Sequence, residues 1–264
     1  MTDDGNVLLD EQAVTVITGG ARGIGAAIAD RFAAHGSRVV IVDVDGDEAA
    51  RTASTLAERH GREVVAHALD VTDEDATEDA FGAWMSSYGR IDNVVVNAGI
   101  LYLGPAVDTS LADWQRVIDV NLTGAFVTAR AAARHMEGPG SILFTSSLAG
   151  LRGFKDNCAY SASKFGVVGL AQVLALELGP KQIRSNAICP GQISTEMIER
   201  LVVDFAAIRD EEPDQVREAL IERVPLGRYG TPEEVGDMYV MLASPLGVYV
   251  TGQAISVDGG WSAA

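Results

Sequence analysis

The sequence predicts an α/β fold, a parallel sheet with helices on both faces, and three observations predict it. Short apolar runs rich in β-branched residues alternate with helical stretches from one end to the other. Runs such as Val39-Val40-Ile41-Val42 are apolar at consecutive positions, as strands covered on both faces require. The first run leads through a glycine turn directly into a helical pattern and then a second run, the connection that parallel strands use.

In chain order, the first strand is predicted over 13–18, Ala13-Val14-Thr15-Val16-Ile17-Thr18. It runs into Gly19-Gly20-Ala21-Arg22-Gly23-Ile24-Gly25, with a helix over 23–36. The second strand, 38–43, ends on Asp43. Further strands are predicted over 63–69, 91–96, 141–146, 184–189 and 253–257, and further helices near 46–60, 73–89, 110–136, 158–179 and 231–243. One stretch breaks the alternation: 194–229 is mixed, charged and helical in pattern, with Asp210-Glu211-Glu212-Pro213-Asp214 at its middle. It follows a strand end, where open α/β sheets bind ligands. No linker, low-complexity segment or internal repeat divides the chain, so 1–264 is expected to be one domain.

Strand, glycine turn, helix, strand and acid form the layout of a dinucleotide-binding unit. Glycines at 19, 23 and 25 let the backbone turn tightly and approach a pyrophosphate, which the helix N-terminus stabilises. Asp43, 18 residues beyond Gly25, is placed to accept hydrogen bonds from ribose hydroxyls. The spacing is G-x3-G-x-G, and taken alone a glycine turn is also an ordinary β–α connection.

Tyr160 and Lys164 stand four apart in Tyr160-Ser161-Ala162-Ser163-Lys164. On a helix they share a face. A phenol of ordinary pKa near ~10 beside a cation is expected to ionise more readily, which makes it a proton donor and acceptor. The same spacing also occurs on solvated helix faces.

Together with Asn97-Ala98-Gly99, Asn121, Ser147 and Pro190-Gly191, these features resemble the short-chain dehydrogenase/reductase family in order and spacing, over essentially the whole chain. The resemblance implies a single-domain Rossmann-type, doubly wound sheet of about seven strands. It implies catalytic roles for Asn121, Ser147, Tyr160 and Lys164. Tyr160 would act as general acid and base. Ser147, thirteen residues upstream, would bind the substrate oxygen, while Ser146 stays structural. Lys164 would lower the phenol pKa and hold the nicotinamide ribose, and Asn121 would kink its helix and hold a water leading to the lysine. Asn121 also reads as an ordinary hydrogen-bonded kink.

Cofactor contacts are expected from Gly19, Arg22, Gly23, Ile24, Gly25 and Asp43, and from Tyr160 and Lys164. Asp70 and Val71 would hold the adenine, although the acid-rich start of the next helix gives Asp70 a capping role as well. Asn97, Ala98 and Gly99 allow backbone near the adenine ribose. Pro190, Gly191, Ile193 and Thr195 would turn the chain and clamp the carboxamide. Asp43 repels a 2′-phosphate and Arg22 attracts one; the acid at this strand end favours NAD. The segment 194–229 would be a substrate-binding loop that closes over the site. Pocket walls are expected from Leu148, Arg152, Phe154, Asn157, Gln192 and Met197, with Ser147 and Tyr160, a mixture suited to a sugar or polyol, a cyclic or secondary alcohol, or a hydroxy acid held by Arg152.

The expected activity is NAD-dependent interconversion of a secondary alcohol and a ketone. The rival is a catalytically silent NAD(H)-binding sensor or scaffold, against which the complete set of Asn121, Ser147, Tyr160 and Lys164 argues. The net charge of −17 disfavours nucleic acid, anionic lipid and an acidic carrier protein. Cys158 and Cys189 make no disulfide framework, and Cys158 reads as a packed thiol. No Cys/His cluster has metal-ligand spacing, so no metal is expected. The acidic start Met1-Thr2-Asp3-Asp4-Gly5 lacks a leader pattern, and the apolar tracts read as short of a membrane span. A cytoplasmic protein is expected, and by resemblance of Val257-Asp258-Gly259-Gly260-Trp261 to the family's C-terminal end, a homotetramer.

Overall fold

A computed structural model describes residues 8–263. The acidic start on which the leader expectation rests lies outside these residues. Seven strands form one sheet: β1 (Val14–Thr18), β2 (Arg38–Asp43), β3 (Val64–Ala68), β4 (Asn93–Val96), β5 (Gly140–Thr145), β6 (Ile183–Pro190) and β7 (Ala254–Val257). Their order is β3-β2-β1-β4-β5-β6-β7, and every neighbouring pair is parallel. Each predicted run is a strand, with ends displaced by at most two residues.

The helices are α1 (Gly23–Ala34), α2 (Gly46–His60), α3 (Glu74–Tyr88), α4 (Leu111–Ile118), α5 (Gly124–His135), α6 (Cys158–Leu178), α7 (Glu196–Arg209), α8 (Pro213–Glu222) and α9 (Pro232–Ala243). Most begin where a short polar side chain can satisfy an orphan N–H. Asp45, Asp73, Ser110, Thr195 and Thr231 accept from the backbone of α2, α3, α4, α7 and α9 in this way. The helix expected over 110–136 is one path interrupted by a π turn, Asp119–Thr123, with Asn121 at its centre.

Successive strand residues point to opposite faces, and the core divides accordingly. Val16, Val40, Val94 and Ile142 pack with Phe81, Trp84, Ala129 and Val167 from α3, α5 and α6. Their neighbours Ile17, Ile41, Val95 and Leu143 pack the other way, with Ile28, Phe32, Leu56 and Tyr239 from α1, α2 and α9. A side chain of this size contributes about 1.5–3 kcal/mol when fully buried, so both faces hold helices firmly. The segment 194–229 forms a pair of helices, α7 and α8, with a small core of its own, Val202, Phe205, Ala206 and Val216, packed against Leu103 after β4.

One expectation is corrected. With its terminal turn, α6 spans Cys158–Lys181, 24 residues of mean hydropathy 1.3, long and apolar enough to cross a membrane by length and composition. Its apolarity has a different use, because Ala159, Val167, Ala171, Leu174 and Leu178 are buried and the helix packs on the sheet.

The chain leaves β3 at the sheet edge and returns to β4 on the far side of β1. The loops after β1 and β4 therefore diverge, which opens a crevice at the carboxyl ends of the strands.

Candidate active site

One wall of the crevice is the glycine turn. Gly19 and Gly23 have φ of +62° and +55°, a region that favours glycine. A Cβ on Gly25 would stand 2.0 Å from the Gly19 carbonyl oxygen and 2.7 Å from Asn97 Nδ2. Asn97 ties the turn to β4, since its Nδ2 donates to Gly19 O at 2.9 Å and its own N–H donates to Thr18 Oγ1 at 3.0 Å. The N-cap of α1 is Arg22, which makes no side-chain capping bond, and no acid lies in the first turn. The first N–H groups of α1 are therefore without a side-chain acceptor, the arrangement of an anion site. Ile24 follows Gly23 and is half-buried against the α1 side of the core.

Asp43 ends β2, and its carboxylate accepts from Ala21 N and Asp45 N, both at 3.1 Å. Arg22 donates to Asp45 at 2.6 Å and lies 3.8 Å from Glu48. Asp45 was not among the residues picked out from sequence, and only its position two places beyond Asp43 hinted at it. Asp70 is exposed and accepts from Thr72 N and Thr72 Oγ1, whereas the cap of α3 is Asp73. Val71 is buried. Ala98 N donates toward Thr18 Oγ1 at 3.3 Å. Beyond β6, Pro190 and Gly191 turn the chain so closely that a Cβ on Gly191 would meet Asp258 Cβ at 2.7 Å. Ile193 then pairs with Gly230, and Thr195 caps α7 by accepting from Ile198 N. Thr195 faces the glycine turn: a Cβ on Gly23 would meet its Cγ2 at 3.8 Å.

Across the crevice lie the residues singled out for chemistry. Lys164 is 3% exposed. Its Nζ donates to Thr145 O at 2.8 Å and stands 5.5 Å from the centroid of the Tyr160 ring. A Cβ on Gly99 would come within 3.3 Å of Asn121 Oδ1 and 3.4 Å of Lys164 Nζ, so these three converge. Asn121 is 1% exposed; it accepts from Ile100 N at 2.7 Å and donates to Ile100 O at 2.9 Å and Ser163 Oγ at 3.2 Å. Its side chain thus fixes the segment after β4 to the π turn.

Ser147 leaves β5 beside the Tyr160 phenol and accepts from Ala149 N at 3.1 Å. Ser146 points the other way and donates to Lys164 O, as the alternation along the strand requires. Burial holds the Tyr160 phenol above its ordinary pKa, and the nearby Ser147 hydroxyl opposes this in part. In the protein alone burial is the larger cause, and the net direction is upward. Burial also lowers the Lys164 ammonium to about 8.

Two residues outside the sequence reading support this centre. Thr145 donates from Oγ1 to Asn97 Oδ1 at 2.9 Å and shares a 2.5 Å hydrogen bond with the buried Tyr239 hydroxyl of α9. Thr145 thus joins the lysine, through its carbonyl, to the glycine turn, through Asn97. Period-two alternation places Thr145 on the same face as Ser147, but nothing local announces Tyr239.

Of the residues expected to wall a pocket, Leu148 and Phe154 cluster with Val224 and Trp261. Arg152 lies over the Trp261 ring. Asn157 is buried at the start of α6, and its Oδ1 has no partner. Met197 is in the first turn of α7, 42% exposed. Gln192 lines a hollow with Ile193, Leu226, Arg228 and Asp258. Among the described residues, no group of three or more His, Cys, Asp or Glu could hold a metal ion. Cys158 is half-buried against Thr109, and Cys189 is fully buried.

A parallel sheet with this order, a crevice at its switch point, and half-buried Ser147 and Tyr160 with the buried Lys164 beside a glycine turn define a nucleotide-dependent oxidoreductase class. A family model described as enoyl-(acyl carrier protein) reductase matches residues 19–262. Trans-4-hydroxycyclohexanecarboxylate dehydrogenase of Sinomonas cyclohexanicum is 38% identical over 258 residues, covering 96% of this chain and 93% of the relative. The 3-oxoacyl-[acyl-carrier-protein] reductase FabG of Thermotoga maritima is 39% identical over 254 residues, 95% of this chain and 98% of the relative. The crystal structure of carveol dehydrogenase from Mycobacterium avium in complex with NAD superposes with a TM-score of 0.89 at 31% identity, covering 96% of this chain and 98% of that one. The chain belongs to the short-chain dehydrogenase/reductase family of oxidoreductases.

Proposed function

We propose that this chain is an NAD-dependent oxidoreductase that interconverts a secondary alcohol and its ketone, with Tyr160 as general acid and base. The observation that carries the reading is the convergence of Tyr160, the buried Lys164, Asn121 and Gly99 at the crevice where α1 presents its uncapped N-terminus. A dinucleotide fits this wall, because the open N–H groups suit a pyrophosphate and Gly19 and Gly25 let the turn close tightly against Asn97 and Ala98, leaving the N-terminus of α1 facing the crevice. NAD, when bound, supplies the hydride acceptor and its positive charge.

For alcohol oxidation, the Tyr160 phenolate takes the hydroxyl proton as the carbinol hydrogen leaves as hydride, and a ketone results. The Ser147 hydroxyl donates to the substrate oxygen and shares its developing charge with Tyr160. Lys164 stabilises the phenolate electrostatically and holds the ribose. The Asn121 side chain is committed to Ile100 and Ser163, so the water leading to Lys164 would bind main-chain carbonyls of the π turn. Asp70, Val71, Ala98, Pro190, Gly191, Ile193 and Thr195 would hold the cofactor along the rest of the crevice.

NAD is favoured over NADP because Asp43 repels a 2′-phosphate and Asp45 already neutralises Arg22. The relatives named above bring cyclic alcohols to this chain as the first substrate class to try. A carrier-bound acyl chain is disfavoured by the charge of −17, which repels an acidic carrier. The test is NADH formation at 340 nm over a panel of cyclic alcohols, polyols and hydroxy acids, repeated with NADP. Turnover with NAD, and its loss by several orders of magnitude in Tyr160→Phe with NADH affinity retained, is the expected result. Near-normal turnover in the variant would remove the proposed acid–base role.

A further inference from the structure

In a chain with 37 acids against 20 lysines and arginines, most described cations have a carboxylate partner. Those without one are Arg152, Lys155, Lys164, Lys181, Arg184 and Arg223. Lys164 and Arg184 instead donate to backbone carbonyls. Arg152, Lys155, Lys181 and Arg223 do neither, and all four are exposed; only the two arginines are seated on an aromatic ring. Both guanidinium groups lie over the indole of Trp261, each 5.1 Å from its centroid.

This arrangement is unlike a packing accident in three respects. First, two like charges held within about 10 Å of each other repel, and no described carboxylate relieves them although acids outnumber bases nearly two to one. Second, Trp261 is 3% exposed, yet its Nε1–H has no acceptor, a costly state for a buried donor. Third, the cluster adjoins the proposed catalytic serine: Trp261 packs with Leu148, the residue after Ser147, and Arg152 N donates to Leu148 O at 3.1 Å. Three donor groups are thus gathered there with no acceptor among them. The exposed guanidinium groups are solvated as well as seated on the indole, so they are open to an anion that arrives from solvent.

We propose that Arg152 and Arg223, mounted on Trp261, form an anion subsite of the active site, and that the substrate carries a carboxylate on an apolar body that rests on Leu148 and Phe154. The inference rests on the dehydrogenase reading for its site and deepens it by naming the substrate class. Guanidinium groups suit a carboxylate because their planar forks donate paired hydrogen bonds. Arg223 comes from the chain just beyond α8 and Arg152 from the turn after β5. A bound carboxylate would therefore also tie the 194–229 segment to the catalytic wall.

The test is calorimetric and independent of turnover. Cyclohexanecarboxylate and cyclohexanecarboxamide are titrated into the NADH-loaded protein at low and high salt, with wild type, Arg152→Gln and Arg223→Gln. NADH binding reports that each variant is folded. The expected result is that the carboxylate binds wild type at least tenfold more tightly than the amide. That preference should weaken at high salt and fall below twofold in either variant. Equal affinity for the two probes, or a preference that survives both substitutions, overturns the subsite. Dehydrogenation of 4-hydroxycyclohexanecarboxylate is measured in parallel. Carboxylate preference without turnover of any alcohol would overturn the dehydrogenase reading and leave the anion subsite standing; turnover of neutral and acidic alcohols with equal kcat/KM would do the reverse.

Discussion

At the scale of the residue, burial decides more than pairwise charge. Lys164 is closed off from water with its ammonium aimed at one carbonyl, and its pKa falls to about 8. Below pH 8 both the folded and unfolded chains hold this proton, and the fold carries the whole desolvation penalty. Between 8 and the ordinary 10.5 only the unfolded chain holds it, so the penalty fades and stability rises with pH. The gap corresponds to on the order of 3 kcal/mol. The unfolding free energy of the protein without cofactor, measured from pH 7 to 9.5, should therefore climb relative to Lys164→Met. Parallel curves would mean that Lys164 keeps an ordinary pKa. The cofactor preference is likewise a matter of two carboxylates rather than one. Asp43 organises the turn through Ala21 N, and Asp45 holds Arg22. Asp43→Ala should raise kcat/KM for NADP, and adding Asp45→Ala, which frees Arg22 to meet a 2′-phosphate, should raise it further, by about tenfold for one good charge-assisted contact. If the double variant is no better than the single one, Arg22 does not face that phosphate.

At the scale of the element, what matters is how closely the turn after β1 approaches β4. The Gly25 position tolerates no side chain, since a Cβ would sit 2.0 Å from Gly19 O. Gly25→Ala should therefore push the turn off Asn97 and weaken NADH binding at least tenfold by fluorescence titration, while the far-UV circular dichroism keeps its wild-type shape. Unchanged affinity would show that the turn does not cradle the cofactor. The strands and most helices were legible in the sequence because each is a local pattern. Runs such as Val39–Val42 are apolar on both sides of the pleat, and caps such as Asp73 and Thr231 sit just before their helices. Ser147, Tyr160 and Lys164 were legible for the same reason, being close in the chain and distinctive in type. The partnerships around them were not. Arg22–Asp45, Thr145–Tyr239 and Arg152–Trp261–Arg223 join residues from separate elements, and nothing in a local pattern records which side chains the fold brings together.

At the scale of the whole molecule, the surface combines strong negative charge with large apolar groups that stay exposed. On α6, Phe165, Val173 and Leu176 are 46%, 49% and 82% exposed at helical spacing, and Phe126 on the neighbouring α5 is 45% exposed. A second apolar stretch, Leu246, Val248 and Tyr249, lies just before β7, with Tyr249 fully exposed. Contiguous apolar surface of this kind marks interfaces. Two separate self-complementary surfaces on one chain generate a tetramer of dihedral symmetry. We therefore propose a homotetramer of about 111 kDa, four times the 27.8 kDa chain. Leu176→Arg places a charge in the middle of the α5–α6 surface and leaves the β7 surface intact, so light scattering should find a dimer near half that mass. Because each subunit carries −17, like-charge repulsion opposes association at low ionic strength and is screened by salt. Assembly driven by apolar burial should thus tighten as salt is added, whereas assembly through ion pairs would loosen. A monomeric wild type, or a tetramer that persists in Leu176→Arg, would refute this assignment of the two surfaces.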